Sequence, residues 1–327
     1  MRRLKVGCVG TGFIAGRHLA ALSGFDDVDV VAVADPLPGR AEAAALAHDA
    51  RGYDDGMALL EGEELDAVWI CVPPFAHGAL ERASVERGLP FLVEKPLAND
   101  LDTAVDIADR VLSSGVLAAV GYHWRYLSIV EKAGALLAGS APSLVNGYWL
   151  DSTPPVPWWI QRRLSGGQVV EQTTHLFDLA RLLVGEVDLV SAVEVPAGES
   201  DQVPVASSAA LRFASGAVGT IASARVLPAR HRVGLQLVAD GCAVELSEQS
   251  LTDHELRVVT AGGEEVHRVK EDPIAAEDRA FLDAVAGKSD VRAPYADALR
   301  SHLLSWAADR SAREGVPVVP SGETMHG

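Results

Sequence analysis

The sequence predicts an α/β protein with an N-terminal doubly wound parallel sheet and a C-terminal region built on a mostly antiparallel sheet. Three observations support this fold class. Short apolar strands alternate with helical segments as far as Gly121, which is typical of a doubly wound sheet. A glycine-rich turn follows the first strand. Beyond Gly121, short segments rich in Val, Ala and Leu and separated by glycines replace the alternation. We therefore place one domain at 1–121 and a second at 122–327.

The composition excludes several classes of protein. The 327 residues carry a net charge of −17, which opposes binding to nucleic acid or to an anionic membrane surface. No apolar run reaches the roughly 18 residues of a membrane span. Cys8, Cys71 and Cys242 are far apart and offer neither a disulfide framework nor a Cys-x-x-Cys metal clip. We expect a cytoplasmic protein with no nucleic-acid or membrane partner.

The first element is a buried strand from Leu4 to Val9 that opens into a helix at Gly10-Thr-Gly12-Phe-Ile-Ala15. Gly10 permits the tight turn, Gly12 lets the backbone approach a pyrophosphate, and Ala15 allows close packing of helix and strand. Unpaired N–H groups and the helix dipole favour an anion at this point. The motif predicts a dinucleotide site, and the alternative is an ordinary glycine turn.

The second strand, from Val28 to Ala34, ends at Asp35. Asp35 follows the glycine turn at roughly the spacing of an acid that accepts hydrogen bonds from ribose hydroxyls. Its charge would repel the 2′-phosphate of NADP, so we expect NAD as the cofactor. Alanines and charges at helical spacing over 38–47, and the segment 54–60, predict two helices after this strand.

A further apolar strand, from Leu65 to Val72, stops at Pro73-Pro74. The helix after it, over about 75–87, would carry His77 in its first turn. Because the carboxyl ends of parallel strands form the ligand crevice, His77 lies either near the cofactor or, as a first-turn residue, in solvent.

The strand from Pro90 to Val93 ends in Glu94-Lys95-Pro96. At the carboxyl edge of a parallel sheet, Lys95 is placed to reach a substrate hydroxyl; the alternative is an ordinary solvated lysine. A helix over about 100–114 and a strand over 116–121 complete the first domain.

The second domain opens with the aromatic and basic run Tyr122-His-Trp-Arg-Tyr126, followed by a helix to about Ala138 and a strand near 144–150. Tryptophans are concentrated here and predict a second core, a flat wall for sugar rings, or both. They are Trp124, Trp149, Trp158 and Trp159.

Gly166-Gly167 precedes a strongly helical run over 169–184, on which Glu171 and His175 lie one turn apart. The two side chains then share a face with apolar residues, and His175 is either a core histidine or a functional one. Short segments over 188–268 suggest the antiparallel sheet, and helices over about 274–286 and 294–313 close the chain.

Three of these motifs together resemble the Gfo/Idh/MocA family, the relatives of glucose–fructose oxidoreductase and inositol dehydrogenase. They are the glycine turn at 10–15, Glu94-Lys-Pro96, and Gly166-Gly167 with Glu171 and His175. The pattern from Glu277 to Gly315 extends the resemblance over nearly the whole chain. The resemblance implies an N-terminal Rossmann domain, with its doubly wound parallel sheet, and a C-terminal α/β domain with a large, mostly antiparallel open sheet. In the family this open sheet often forms an interface between subunits, so the resemblance also implies a homodimer or homotetramer.

The resemblance also implies an NAD-dependent dehydrogenase that transfers hydride between a sugar, polyol or related cyclic alcohol and nicotinamide. His175 would be the general base, Glu171 would set its tautomer and charge, and Lys95 would hold the reacting oxygen. Glu171 stands where the family commonly has aspartate. One rival is a non-catalytic NAD-binding regulator of the same fold. Another is metal-assisted chemistry through Glu171, His175 and His123, but the sequence lacks a His-Glu-x-x-His motif, so we expect no metal.

The family's binding positions complete the predicted site. Contacts with the cofactor are expected from Gly10, Gly12, Phe13, Ile14, Asp35, Pro73, His77, Glu94 and Lys95. Contacts with the substrate are expected from Tyr122, Arg125, Trp159, Arg162 and His175. An arginine pair, Arg125 and Arg162, would suit a carboxylate or another anion.

Overall fold

The computed structural model describes residues 2–198 and 201–321. They form two compact units. The first comprises the described part of Met1–His123 with Ile274–Leu299, and the second comprises that of Trp124–Pro273 with Arg300–Gly327. The single boundary expected after residue 121 therefore differs from the observed division. The chain returns to the first unit because Phe281 and Leu282 are fully buried in one of its apolar clusters.

The first unit contains a six-stranded parallel sheet. Its strands are β1 (Leu4–Val9), β2 (Val28–Ala34), β3 (Arg51–Tyr53), β4 (Ala67–Ile70), β5 (Phe91–Val93) and β6 (Ala118–Val120). Their order, β3-β2-β1-β4-β5-β6, is that of a Rossmann fold, which confirms the predicted doubly wound sheet. The strand β3 was not predicted, because three residues that include a glycine carry little periodic signal.

Helices cover both faces of this sheet. They are α1 (Phe13–Ser23), α2 (Arg40–His48), α3 (Gly56–Gly62), α4 (Ala79–Glu86), α5 (Leu101–Ser114) and α10 (Pro273–Val285). Alternate residues of β4 enter different clusters: Val68 and Ile70 pack on one side, and Ala67 and Trp69 pack on the other. A strand buried on both faces reads as a continuous apolar run, and this is why the sequence reveals these strands.

The second unit is built on an eight-stranded sheet. Its strands are β7 (Leu144–Leu150), β8 (Val187–Val195), β9 (Ala206–Phe213), β10 (Val218–Ala224), β11 (Arg232–Ala239), β12 (Cys242–Ser250), β13 (Asp253–Thr260) and β14 (Gly263–Lys270). The order is β14-β13-β12-β11-β7-β10-β9-β8. Only the pairing of β7 with β10 is parallel among these described strands, so the predicted mostly antiparallel sheet is confirmed.

The remaining helices are α6 (Ser128–Leu137), α7 (Arg162–Ser165), α8 (Gln168–Glu171), α9 (Thr174–Val184) and α11 (Tyr295–Glu314). Within the second unit, α9 packs on β7 and β11 and buries Leu176, Phe177 and Leu179 against the sheet. Across residues 2–198 and 201–321, no helix combines the length and apolar character that a membrane crossing needs.

Candidate active site

The glycine turn lies at the carboxyl end of β1. Gly10 has a φ of +91°, which is strained for residues with a side chain, and a Cβ added there would lie 2.2 Å from the carbonyl oxygen of Cys71. Gly12 is the N-cap of α1, and a Cβ added there would meet no atom within 4 Å. The turn itself therefore requires Gly10, whereas the space beside Gly12 is open, as a pyrophosphate at the helix N-terminus needs.

Two alanine substitutions should separate these roles. Gly10→Ala is expected to lower the free energy of unfolding by about 2 kcal/mol or more, because backbone strain and overlap with a carbonyl add. Gly12→Ala should change it by less than about 0.5 kcal/mol yet weaken NAD binding at least about tenfold, because its methyl group would occupy the pyrophosphate space. Denaturant unfolding and calorimetry measure the two effects. Wild-type NAD affinity in Gly12→Ala would contradict this placement of the cofactor.

Asp35 follows β2 and is held beside the glycine turn. Its Oδ2 accepts hydrogen bonds from the Thr11 backbone N–H at 3.0 Å and the Thr11 hydroxyl at 2.8 Å. Its Oδ1 accepts from the Leu37 N–H at 2.9 Å. Since each carboxylate oxygen has two lone pairs, Oδ1 retains one for a ribose hydroxyl. Nearby, Phe13 in the first turn of α1 is 80% exposed.

Replacing Asp35 with serine should relax the choice of cofactor. Asp35→Ser removes the negative charge, so the preference for NAD over NADP is expected to fall at least about tenfold, because close like charges cost several kcal/mol. Asp29→Ser is the matched control, since this acid lies in β2, the strand that Asp35 follows, and is partly exposed beside Arg3. Affinities for both dinucleotides would be measured by calorimetry. An unchanged ratio in Asp35→Ser would show that the carboxylate does not face the ribose.

The His77 side chain is buried, although the residue as a whole is partly exposed, so of the two alternatives for this ring the solvent-facing one does not apply. The helix expected over 75–87 is a 3-10 turn, Pro74–Ala76, followed by α4, with His77 between them. The backbone is not helical at this point because Gly78 has a φ of +113°. The His77 Nδ1 lies 2.6 Å from Glu81 Oε1, so an acid of α4 orients the ring. Pro73, just before the turn, is partly buried.

Glu94 and Lys95 leave the carboxyl end of β5. The Glu94 carboxylate is buried, and its Oε2 accepts the Lys95 backbone N–H at 3.1 Å. Its Oε1 lies 3.1 Å from Nε2 of His18 on α1. A Cβ on Gly121 would lie 2.7 Å from the same Oε1. Glu94 is therefore enclosed, and it holds the backbone of Lys95 at the edge of the sheet where ligands of such folds bind.

His18 joins three segments of the first unit. Its other ring nitrogen, Nδ1, lies 2.7 Å from Asp278 Oδ1 on α10, and the same oxygen accepts the Trp69 indole N–H at 2.7 Å. Burial opposes protonation of His18, but the charge and hydrogen bond of Asp278, aided by Glu94, raise the pKa of the imidazole well above its usual value. Burial would raise the pKa of Glu94, yet the hydrogen bond from His18 lowers it. One carboxyl group beside each ring nitrogen favours the imidazolium form of His18, which can donate an N–H to each.

Sequence reasoning missed His18 and Asp278. A signal was present, because His18 lies among Ala15, Leu19 and Leu22 on the buried face of α1. A polar residue on an apolar helix face requires a partner, but the sequence could not say which. Asp278 is distant in sequence and reaches His18 only because α10 packs in the first unit.

In the second unit, His175 is buried between two indole rings. The imidazole stacks on Trp124 at a centroid distance of 6.4 Å and on Trp149 at 6.1 Å, with interplanar angles of 19° and 17°. Trp124 in turn donates its N–H to Glu248 at 2.9 Å. These two aromatic faces fix the plane of the imidazole ring.

The helix predicted over 169–184 is interrupted between Glu171 and His175. The chain forms α8 and α9 with a π-type turn between them, in which the Thr173 N–H donates to the Gln168 carbonyl, five residues back, at 2.9 Å. An extra residue in one turn changes the angle between side chains on either side, so the argument from regular helical spacing fails. The Glu171 carboxylate accepts the indole N–H of Trp159 at 2.6 Å.

Two of the four clustered tryptophans, Trp124 and Trp149, belong to the apolar core of the second unit, and Trp159 is also buried. Trp124, Trp149 and Trp159 are at most 5% exposed. Tyr122, another predicted substrate contact, is 1% exposed in the first unit. Of the two interpretations of the tryptophans, the second-core reading is the one that these burials support.

The two arginines predicted to receive an anion are both paired with acids of the protein. The Arg125 Nε–H donates to Asp178 at 2.7 Å within a buried two-point ion pair. Arg162 binds both oxygens of Glu194 at 2.9 Å and also pairs with Asp309. Because these charges are neutralised locally, the argument for an anionic substrate is lost.

Comparison with known proteins agrees with this architecture. Residues 4–122 match the model of the oxidoreductase family with the NAD-binding Rossmann fold, and 141–245 match the GFO/IDH/MocA C-terminal domain. Inositol 2-dehydrogenase 1 of Saccharopolyspora erythraea is 30% identical over 95% of this chain and 86% of its own length. The scyllo-inositol 2-dehydrogenase (NAD(+)) of Bacillus subtilis is 25% identical, with coverages of 97% and 96%. A levoglucosan dehydrogenase solved with NADH has the same fold, with a TM-score of 0.87 at 20% identity over 98% of this chain and 100% of that one.

A Rossmann sheet with this glycine turn, joined to a second unit with a mostly antiparallel sheet, defines an NAD-binding oxidoreductase. The chain belongs to the GFO/IDH/MocA oxidoreductase family. This confirms the family resemblance and the prediction of NAD as the cofactor. The roles of individual residues stay predictions.

Proposed function

We propose that the protein is an NAD-dependent dehydrogenase of a sugar, polyol or related cyclic alcohol. The observation that carries the proposal is the enclosed Glu94, which holds Lys95 at the carboxyl edge of the sheet that also bears the glycine turn and Asp35. The names of the relatives support the substrate class, because they include two inositol dehydrogenases and a levoglucosan dehydrogenase.

The proposed chemistry divides the work between two residues. Bound NAD supplies the acceptor for the hydride that leaves the carbinol carbon. The Lys95 ammonium donates a hydrogen bond to the reacting oxygen and stabilises the charge that develops there. His175 takes the hydroxyl proton as the oxygen–carbon double bond forms. Glu171 is proposed to set the tautomer and charge of His175, and its carboxylate also accepts the indole N–H of Trp159.

A substrate screen tests this function. Inositols, levoglucosan, aldoses and sugar acids would each be offered with NAD, and the reaction would be followed by NADH absorbance. We expect saturable turnover with at least one cyclic polyol or sugar. Tight NAD binding without NADH formation from any of them would favour the non-catalytic regulator instead. We also propose a homodimer or homotetramer, which light scattering would measure.

A further inference from the structure

We propose that His18 is a positioning residue for Lys95: its imidazolium clamps Glu94, and Glu94 in turn fixes the backbone from which the Lys95 side chain extends. This inference rests on the proposed function only where it concerns turnover. The clamp itself is a feature of the first unit, and it can be measured without substrate.

The first step of the argument is that His18 serves two carboxylates at once. Nε2 lies 3.1 Å from Glu94 and Nδ1 lies 2.7 Å from Asp278, and neither His18 nor Asp278 has an exposed side chain. A doubly protonated ring offers one N–H donor to each of these two carboxyl groups. Removing one partner of such a buried pair leaves a charge without compensation. Loss of the contact with Asp278 would therefore also weaken the contact with Glu94.

The second step is that Glu94 has little freedom apart from this contact. Its Oε1 contacts His18 and lies so close to Gly121 that a Cβ there would overlap with it. Its Oε2 accepts the Lys95 N–H. A polar oxygen of Glu277 also lies within 4.8 Å of the ligand atoms of His18 and Glu94. Without the imidazolium, neighbouring carboxylates would repel Glu94, and its hold on Lys95 would loosen.

The third step is that the clamp connects α1, whose N-terminus follows the glycine turn, with α10 and the end of β5. A catalytic group must be held within a fraction of an ångström to act. Replacing a buried ion triad by well-packed apolar residues often leaves the stability of a fold unchanged or raises it, so stability alone does not explain such a triad. Because Glu94 of this triad accepts the Lys95 backbone N–H, the arrangement points to a positioning role.

Two isosteric variants separate positioning from simple stability. His18→Gln places an amide N–H where Nε2 lies and can keep the bond to Glu94, whereas His18→Asn places one where Nδ1 lies and can keep only the bond to Asp278. Both lose the buried charge, so both should lower the melting temperature. Only His18→Asn should weaken the hydrogen bond from the Lys95 backbone N–H to Glu94.

Amide hydrogen exchange at Lys95 is the first readout, and it needs no substrate. We expect exchange to accelerate at least about tenfold in His18→Asn and less than about threefold in His18→Gln, as expected for a local opening equilibrium. For the enzyme with its alcohol, kcat should fall at least about tenfold in His18→Asn alone, with the dissociation constant of NAD nearly unchanged. Equal exchange and equal kcat in the two variants would overturn the proposal.

Further variants keep the test decisive. Arg279→Gln is the control, because Arg279 is next to Asp278 on α10 but pairs with Asp27 and Asp283; it should alter stability without changing Lys95 exchange. If neither His18 variant folds, Gly121→Ala displaces Glu94 instead, because a Cβ there would lie 2.7 Å from Oε1, and it should also weaken the hydrogen bond from the Lys95 N–H. Protected Lys95 in that variant would refute the clamp. A wild-type protein that oxidises no alcohol would refute the proposed function but leave the exchange result to decide on the clamp.

Discussion

Lys95→Met is expected to lower kcat at least about 100-fold, because the methionine keeps the length of the side chain and removes the donor that stabilises a developing oxyanion. NAD affinity should remain within about threefold of the wild type, since lost interactions confined to the transition state lower kcat and not ground-state binding. Turnover would be measured with the best alcohol from the screen, and NAD binding by calorimetry.

The matched control is Lys5→Met. Lys5 is an exposed lysine near the amino end of β1, whereas ligands of parallel sheets bind at the carboxyl ends. The control should retain wild-type kcat. If Lys95→Met also retained it, Lys95 would be an ordinary surface lysine, and the proposed chemistry would lose its oxyanion donor.

His175→Asn is expected to lower kcat/KM by roughly 100-fold to 10,000-fold, the usual contribution of a general base. In the wild type, kcat/KM for alcohol oxidation should rise with pH through a single ionisation, because only the unprotonated ring accepts the substrate proton. That ionisation should be absent from the residual activity of the variant. Initial rates across pH, at subsaturating alcohol, measure both effects.

A purely structural histidine would behave differently, and His302 provides the comparison. It is buried on α11, and its Nε2 accepts the indole N–H of Trp306 at 3.0 Å. His302→Asn should lower the free energy of unfolding by about 1–3 kcal/mol with little change in the rate of the folded enzyme. If His175→Asn gave this same pattern, its imidazole would be a core residue packed between Trp124 and Trp149.

Much of the first unit was predictable because its signals are local. Strands buried on both faces appear as apolar runs, and the glycine turn requires particular residues at particular positions. Gly10 illustrates the second point, since both its φ and its contact with the Cys71 carbonyl exclude a side chain. Asp35 was predicted for a similar reason: the end of β2 is fixed by the strand, and the acid follows it directly.

Helical faces were less predictable, because a short irregularity changes them without altering composition. The run over 169–184 has helical spacing throughout, yet the π-type turn at Thr173 separates Glu171 from His175. Likewise, the positive φ of Gly78 places His77 outside α4. In both cases the conformation of one or two peptide units decides where the side chain lies.

The sequence by itself determined the alternation of strands and helices along the Rossmann unit except for β3, the mostly antiparallel character of the second sheet, and the dinucleotide motif, since each depends on residues adjacent in the chain. Tertiary structure alone decided which charges are satisfied. Arg125 and Arg162 meet Asp178 and Glu194 inside the second unit, and His18 meets Asp278 from a helix that returns late in the chain. The physical reason is that an ion pair depends on distance in space, and a buried charge takes whichever partner the packing of remote segments brings within hydrogen-bond reach.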